Sequence, residues 1–222
     1  MAFRFEKPSD WTFEAGQTMD ISLLAPSETD AEGNTRTFTI ASAPYEKSLM
    51  VATRMRDTAF KRVLKVMPVG TAVQMEGPAG DLTLHRDAAR TAVFLSGGIG
   101  ITPFRSIAFS AAKEHLPHRI VLFYSNRRPE DAAFLAELQM LEKENPNYKL
   151  IASMTEMEKS HRPWHGETGV IGKEMLTRYL KDATSPIYYI AGPPGMVKGL
   201  HTMINESGVD EGDIRTEEFS GY

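Results

Sequence analysis

The chain changes its pattern of apolar residues near its middle, and that change limits its fold more than any other feature. Up to about residue 86 the apolar stretches are short, several alternate apolar with polar, and Gly, Pro, Asn and Asp break them apart. The pattern predicts strands over 3–7, 19–24, 37–42, 49–54 and 72–76, with one helix over 59–66. Turns are expected at Ala15-Gly16-Gln17, Glu32-Gly33-Asn34, Pro68-Val69-Gly70 and Gly77-Pro78. Short strands at this spacing predict a small antiparallel β-barrel.

From residue 91 onward the pattern differs. Thr91 to Ser96 is a nearly continuous apolar run, as a strand buried on both faces requires. A helix is expected over 103–115, a strand over 120–124, a helix over 131–144 and a strand over 148–153. Helices at 173–180 and 196–206 flank a further strand at 187–191. This alternation predicts a parallel sheet with helices on both faces. The expected fold is thus a two-domain chain. An antiparallel barrel spans 1–88 and an α/β parallel-sheet domain spans 89–222, with the boundary near Arg86 to Arg90.

Composition excludes several chemistries. Cysteine is absent, so disulfides, thiolate metal sites, cysteine-ligated iron–sulfur clusters and thiol catalysis are ruled out. The six histidines are scattered without ligand spacing, and no metal site is expected. A net charge of −4 argues against nucleic acid as a partner. No apolar run approaches the length of a membrane span. The opening residues Met1 to Lys7 alternate and carry charge, unlike a signal peptide, which points to a cytoplasmic protein.

Three motifs sit where chemistry is possible. Gly97-Gly98-Ile99-Gly100-Ile101-Thr102-Pro103 follows a buried strand and opens a helix. Glycines there permit close backbone approach, and a helix N-terminus offers free N–H groups to an anion. The spacing is not the full G-x-G-x-x-G fingerprint. Gly192-Pro193-Pro194-Gly195-Met196 repeats the strand–turn–helix arrangement. Two such loops at one sheet edge would flank one crevice, where open parallel sheets bind ligands. In the barrel half, Arg36-Thr37-Phe38-Thr39 places Arg36 and Phe38 on one side of a strand and Thr37 and Thr39 on the other. An arginine suits a phosphate, and a threonine hydroxyl suits the polar edge of a flat heterocycle. Thr53-Arg54-Met55 ends a strand with a cation, and Thr58-Ala59-Phe60 reads as a helix start. Gly77-Pro78-Ala79-Gly80 reads as a loop of close approach. Singly, each of these is an ordinary cap or turn.

Taken together, in this order and spacing, the segments resemble the ferredoxin–NADP reductase family over essentially the whole chain. Arg36-Thr37-Phe38-Thr39 is similar to the family's Arg-x-Tyr/Phe-Ser/Thr flavin motif. The resemblance implies Arg36 at flavin phosphate, Phe38 against the isoalloxazine and Thr39 beside its N5. It implies flavin contacts at Thr37, Thr53, Arg54, Met55, Gly77 and Gly80, with the pyrophosphate seated at Thr58, Ala59 and Phe60. Gly97, Gly98, Gly100, Ile101, Thr102 and Pro103 resemble the nicotinamide pyrophosphate loop. Gly192, Pro193, Pro194 and Met196 resemble the loop beside the nicotinamide, although Ala191 stands where many members carry Cys. Relatives usually have a strand before the one at 3–7, so one barrel edge is expected to be open. The terminal Glu217-Glu218-Phe219-Ser220-Gly221-Tyr222 resembles members whose chain ends against the flavin. Phe219 or Tyr222 would cover the ring, and Glu217 or Glu218 would stabilise nicotinamide or relay a proton. Thr39, Glu217, Glu218 and Tyr222 are therefore the candidate catalytic residues.

The loop Ser125-Asn126-Arg127-Arg128 is expected at the adenosine ribose. Ser125, Arg127 and Arg128 suit a 2′-phosphate and hence NADP, while Glu130 and Asp131 suit the free hydroxyl of NAD. FAD is implied over FMN. The implied activity passes electrons from NAD(P)H through flavin to a one-electron carrier such as a ferredoxin or flavodoxin. Alternatives are the reductase component of an oxygenase or metal-reducing system, and a non-catalytic flavin- or nucleotide-binding subunit. A basic cluster of Arg54, Arg56, Lys61, Arg62 and Lys65 could steer an acidic redox protein or be a solvated helix face.

Overall fold

The computed structural model describes residues 1–219. In the first half, β1 (Ala2–Glu6) pairs antiparallel with β4 (Ser48–Ala52), and β2 (Thr18–Leu23) lies between β3 (Thr35–Thr39) and β5 (Val73–Ala79). The alternation of β2 sends Met19, Ile21 and Leu23 inward. They meet Leu49 and Val51 of β4 and Phe60, Val63 and Leu64 of α1 (Ala59–Val66) in one core. Among the described residues, the barrel expectation resolves into a two-stranded and a three-stranded antiparallel sheet around that core. Within these sheets β1 pairs only with β4.

Two local expectations need correction. Gly77-Pro78-Ala79 is not a loop; it completes β5, with Ala79 opposite Thr18 across a register shift. The strand expected over 37–42 begins earlier and ends at Thr39. Beyond it the backbone turns to bond elsewhere, Ile40 N–H to the Gln17 carbonyl and Ala41 N–H to that of Met50.

The second half runs β6 (Ala92–Gly97), α2 (Ile101–Lys113), β7 (Ile120–Asn126), α3 (Leu135–Glu144), β8 (Tyr148–Met154), β9 (Glu167–Thr168), α4 (Lys173–Tyr179), β10 (Ile187–Gly192), α5 (Pro194–Glu206) and β11 (Ile214–Glu218). Its six strands form one parallel sheet in the order β11-β10-β6-β7-β8-β9. Alternate residues of the central strands β6, β7, β8 and β10 feed two cores. Phe94, Leu122 and Tyr124 pack with Phe104, Ile107 and Leu138 from α2 and α3. Val93, Leu95 and Phe123 pack with Met175, Leu176, Val197 and Leu200 from α4 and α5. The chain leaves β6 in one direction through β7 and β8 and returns on the other side as β10 and β11. The strand order reverses between β6 and β10, and at such a switch point open parallel sheets bind ligands in the crevice outside the carboxyl ends of the strands.

The helix expected over 131–144 begins only at Leu135. A short turn over Pro129–Asp131 and a left-handed Phe134 (φ 60°) precede it. No helix among the described residues is long and apolar enough to cross a membrane.

The two halves are fastened by buried polar contacts. The Arg105 guanidinium, on α2, donates to the Ala41 carbonyl (2.8 Å) and pairs with Glu46 (2.8 Å) and with Glu137 of α3 (2.7 Å). It also lies over the rings of Phe109 and Phe134. The next residue, Ser106, donates from its Oγ to the Ser42 carbonyl at 2.8 Å. In the segment joining β5 to β6, His85 bonds the Tyr189 hydroxyl through both its backbone N–H and its Nδ1. Burial lowers the pKa of that imidazole.

Candidate functional site

The arrangement brings the end of β3 against the carboxyl end of the parallel sheet. Thr39 Oγ1 donates to Glu217 Oε1 at 3.4 Å, between residues 178 apart in sequence. Thr39, the last residue of β3, is buried there. Glu217 lies level with Ala191 of β10, which lies level with Ser96 of β6. The carboxyl is therefore two strands from the start of the glycine loop. Burial pushes its pKa up to about 7, and neighbouring Asp81 adds to the rise; the Thr39 hydroxyl opposes it. Glu218, the next residue along the strand, is exposed. The two carboxylates expected to be equivalent candidates are thus separated, and only Glu217 faces the barrel. Phe219 follows with its N–H on the Gly192 carbonyl (2.9 Å) and its ring half-buried against the core on the α2 side. Tyr222 lies outside the described residues.

The two glycine loops abut one another. A Cβ on Gly97 would come within 2.3 Å of Met196 Sδ and 3.0 Å of Pro193 Cδ, and one on Gly100 within 2.3 Å of the Ala191 carbonyl oxygen. Gly100 needs glycine because the atoms it faces are backbone, whereas at Gly97 the nearest atom is the end of the flexible Met196 side chain. Gly98 takes a left-handed φ of 53°. Ile101, Thr102 and Pro103 are buried in the first turn of α2, and the Thr102 hydroxyl caps back to the Ile99 carbonyl. Pro193 caps α5 and Pro194 occupies its first position, where a missing N–H costs nothing.

Among the described residues, two buried polar groups at these strand ends have no protein partner, the Ser96 hydroxyl and the Asn126 side-chain amide. Sequence reasoning places Ser96 directly before the glycine loop and Asn126 in the loop expected at the adenosine ribose, but gives neither side chain a role of its own. A single serine or asparagine at a strand end carries little signal in the sequence, whereas a buried unsatisfied polar group in a fold asks for an explanation. Both lie at the carboxyl ends of β6 and β7, where they could meet the polar edge of a ligand. Beyond Asn126, Arg128 is held by Asp131 (2.8 and 3.0 Å), Ser125 is half-buried and Arg127 is exposed. Glu130 is occupied by the Ser160 hydroxyl and His161 N–H.

The barrel residues of the motif lie together around Phe60. The Phe38 ring centroid is 5.9 Å from that of Phe60, and the Arg36 guanidinium lies over the same ring at 5.3 Å. Thr37 faces away and donates to Asp20. Ala59 and Phe60 are buried in the barrel core, and Thr58 stands at the start of α1 without capping it. Arg36 is not free. Its Nη1 donates to the carbonyls of Glu32, Gly33 and Thr35, and its Nη2 pairs with Asp30 (3.2 Å) and Glu32 (2.8 Å). Thr53 is buried beside Arg54, whose carbonyl receives Lys61 Nζ; Met55 is half-buried. Gly80 lies next to the Thr18 and Gln17 side chains, and Gly77 (φ 133°) packs on the Met19 backbone. Of the basic cluster, Arg62 is neutralised by Glu28 and Asp57, both at 2.6 Å.

The residues present fit a flat, polar-edged ring at one end. A hydroxyl, a carboxyl poised near neutrality and unsatisfied buried donors and acceptors converge on the crevice. At the other end, where a flavin phosphate was expected, the chain's own carboxylates hold the cation.

Comparison with known proteins agrees with this architecture. Residues 94–202 match the oxidoreductase NAD-binding domain. The chain is 30% identical over 202 residues to a Na(+)-translocating NADH-quinone reductase component of Methylococcus capsulatus, covering 84% of this chain and 49% of that protein. It is 27% identical over 221 residues to the glycine betaine monooxygenase reductase component of Chromohalobacter salexigens, covering 98% and 59%. The chain thus spans about half the length of the curated relatives it matches. Among solved structures, the ferredoxin NADP+ reductase of Neisseria gonorrhoeae, with bound FAD and NADP, superposes with a TM-score of 0.80 at 22% identity, covering 98% of this chain and 91% of that one. Residues 94–202 thus carry an oxidoreductase NAD-binding domain, and the whole chain, with two antiparallel sheets ahead of the parallel one, has the fold of the ferredoxin–NADP reductases.

Proposed function

We propose that the chain is an NAD(P)H-dependent flavin oxidoreductase that passes electrons to a one-electron protein carrier. The observation that carries this reading is the Thr39–Glu217 contact beside the switch between β6 and β10. It joins the barrel's flavin motif to the sheet's nucleotide crevice. A bound flavin would supply the redox chemistry, taking up electrons in pairs and giving them out singly. The protein's own work is to bind, orient and exclude water. Thr39 presents a hydroxyl to the ring edge. Glu217 holds or gives up a proton near neutral pH. Phe219 shields the crevice from the chain's end. Ser96 and Asn126 meet the polar groups of the nucleotide, and the abutting glycine loops bring its backbone close.

FAD is our preferred flavin, and the relatives' own names support nicotinamide as the reductant. We assign NADP over NAD on Arg127, which is exposed at the end of β7 while Arg128 is engaged by Asp131. We place the flavin domain at 1–88, the nucleotide domain at 89–222 and the protein in the cytoplasm. A reductase component for an oxygenase is the second reading, favoured by the match to a monooxygenase reductase over nearly the whole chain.

Purified protein loaded with FAD and mixed anaerobically with NADPH or NADH tests the reading. Bleaching of the flavin band is expected with either nucleotide and faster with NADPH. A chain that binds flavin yet leaves the band unchanged is a non-catalytic subunit.

A further inference from the structure

The phosphate end of the expected flavin site already contains an anion. The Asp30 carboxylate lies in the stretch between β2 and β3. Its Oδ1 accepts from Glu32 N–H (3.0 Å) and Arg36 Nη2 (3.2 Å), and its Oδ2 accepts from Ala59 N–H (3.1 Å) at the start of α1. Arg36 and the α1 N-terminus are the donors that the flavin motif assigns to phosphate. They arise from separate elements and converge on one carboxylate. Asp30 is held there by its own turn, with Gly33 N–H on its carbonyl at 2.9 Å. The pair is accessible from solvent, the Asp30 side chain being 32% and Arg36 19% exposed. A second carboxylate, Glu32, pairs with the same guanidinium at 2.8 Å.

We propose that Asp30 is a specificity-determining residue, an internal anion in the phosphate seat that sets how much a flavin's phosphate contributes to binding. This inference rests on the flavin reading above. A phosphate arriving at Arg36 and Ala59 must displace a carboxylate from the same donors, so it exchanges one set of charge-assisted hydrogen bonds for another. It also meets the repulsion of Asp30 and Glu32. The ring end of the ligand, at Thr39 and Glu217, is untouched by this competition. The chain as it stands therefore selects flavins by the ring and is nearly indifferent to the phosphate.

The test is equilibrium binding of riboflavin, FMN and FAD to the full chain and to Asp30→Asn and Asp30→Ala, followed by flavin fluorescence at fixed salt. Circular dichroism confirms that each variant is folded. In the unaltered protein, riboflavin and FMN are expected to bind with dissociation constants within a few-fold of each other. Both substitutions should tighten FMN and FAD by about tenfold or more, the scale of one charge-assisted hydrogen bond, and leave riboflavin unchanged. Three results would overturn the inference: FMN already far tighter than riboflavin in the unaltered chain, all three flavins shifting together, or none shifting. If neither the unaltered chain nor the variants bind any flavin, the functional reading itself fails and this inference falls with it.

Discussion

Thr39 and Glu217 meet at 3.4 Å across the two halves of the molecule, the hydroxyl donating to a carboxyl whose pKa burial has pushed up to about 7. The hydrogen bond favours the ionised form and so works against the desolvation that raises it. Thr39→Val removes the donor and keeps the shape. The Glu217 pKa should then rise further, which carboxyl-selective NMR or infrared titration would read. In flavin-loaded protein the same substitution should slow reduction by NADPH. An unchanged rate would remove Thr39 from the mechanism.

Glu217 also ties stability to pH. Its ordinary pKa is 4.5 and its folded value is about 7. Between those values the native state keeps a proton that the unfolded chain releases. Stability from this group is full below about pH 4.5 and is lost as pH rises through 7. Glu217→Gln should therefore melt like the parent at about pH 4 and above it near pH 8. The difference at the alkaline end is roughly 3 kcal/mol if the whole shift is expressed. Thermal melts across that range would show a flatter profile for the variant; parallel profiles would contradict it.

Much of this fold is legible in the sequence, and the exceptions share a cause. The helix at 59–66 and the strands at 120 and 148 begin where the apolar pattern begins. The glycine loops fall where strands hand over to helices. Three things escape. β11 reads Ile214-Arg215-Thr216-Glu217-Glu218, an edge strand too polar to register as one until β10 is there to pair it. α3 starts only after a left-handed Phe134, whose ring lies under Arg105 of the preceding helix. Asp30 intrudes on Arg36 and Ala59 through a loop that offers no periodicity at all. In each case a long-range partner is involved, and local pattern cannot name it.

Arg105 is the principal polar fastener between the halves, reaching across to Glu46 and the Ala41 carbonyl while Glu137 of its own half holds the same buried guanidinium. Arg105→Leu leaves Glu46 and the Ala41 carbonyl without that partner. Removing one side of a buried pair costs about 3 kcal/mol. A fall in Tm of roughly 10 °C is expected for a chain of this size. Glu137→Gln should cost far less, because Glu137 is 44% exposed and solvent screens its share.

Arg127 offers a separate test of nucleotide preference. It is exposed at the end of β7, while Arg128 is committed to Asp131. Arg127→Ala should lower kcat/KM for NADPH and leave that for NADH nearly unchanged. Equal losses for both would take Arg127 away from the 2′-phosphate.

The glycines divide into those fixed by packing and those that are not. A Cβ at Gly100 would stand 2.3 Å from the Ala191 carbonyl oxygen and 2.6 Å from Gly192 N, both backbone atoms that cannot turn aside as a side chain can. Gly100→Ala must therefore push α2 away from β10 and disturb the crevice between them. Overpacking of this kind costs about 2 kcal/mol or more. Gly199, in the interior of α5, has nothing within 4 Å of its Cβ position and is exposed. Gly199→Ala should stabilise by about 1 kcal/mol through helix propensity alone. Denaturant midpoints moving in opposite directions for the two variants would establish that the first loop's glycine is held by the neighbouring strand. A neutral Gly100→Ala would mean that β6 and β10 part more easily than their backbone contact suggests.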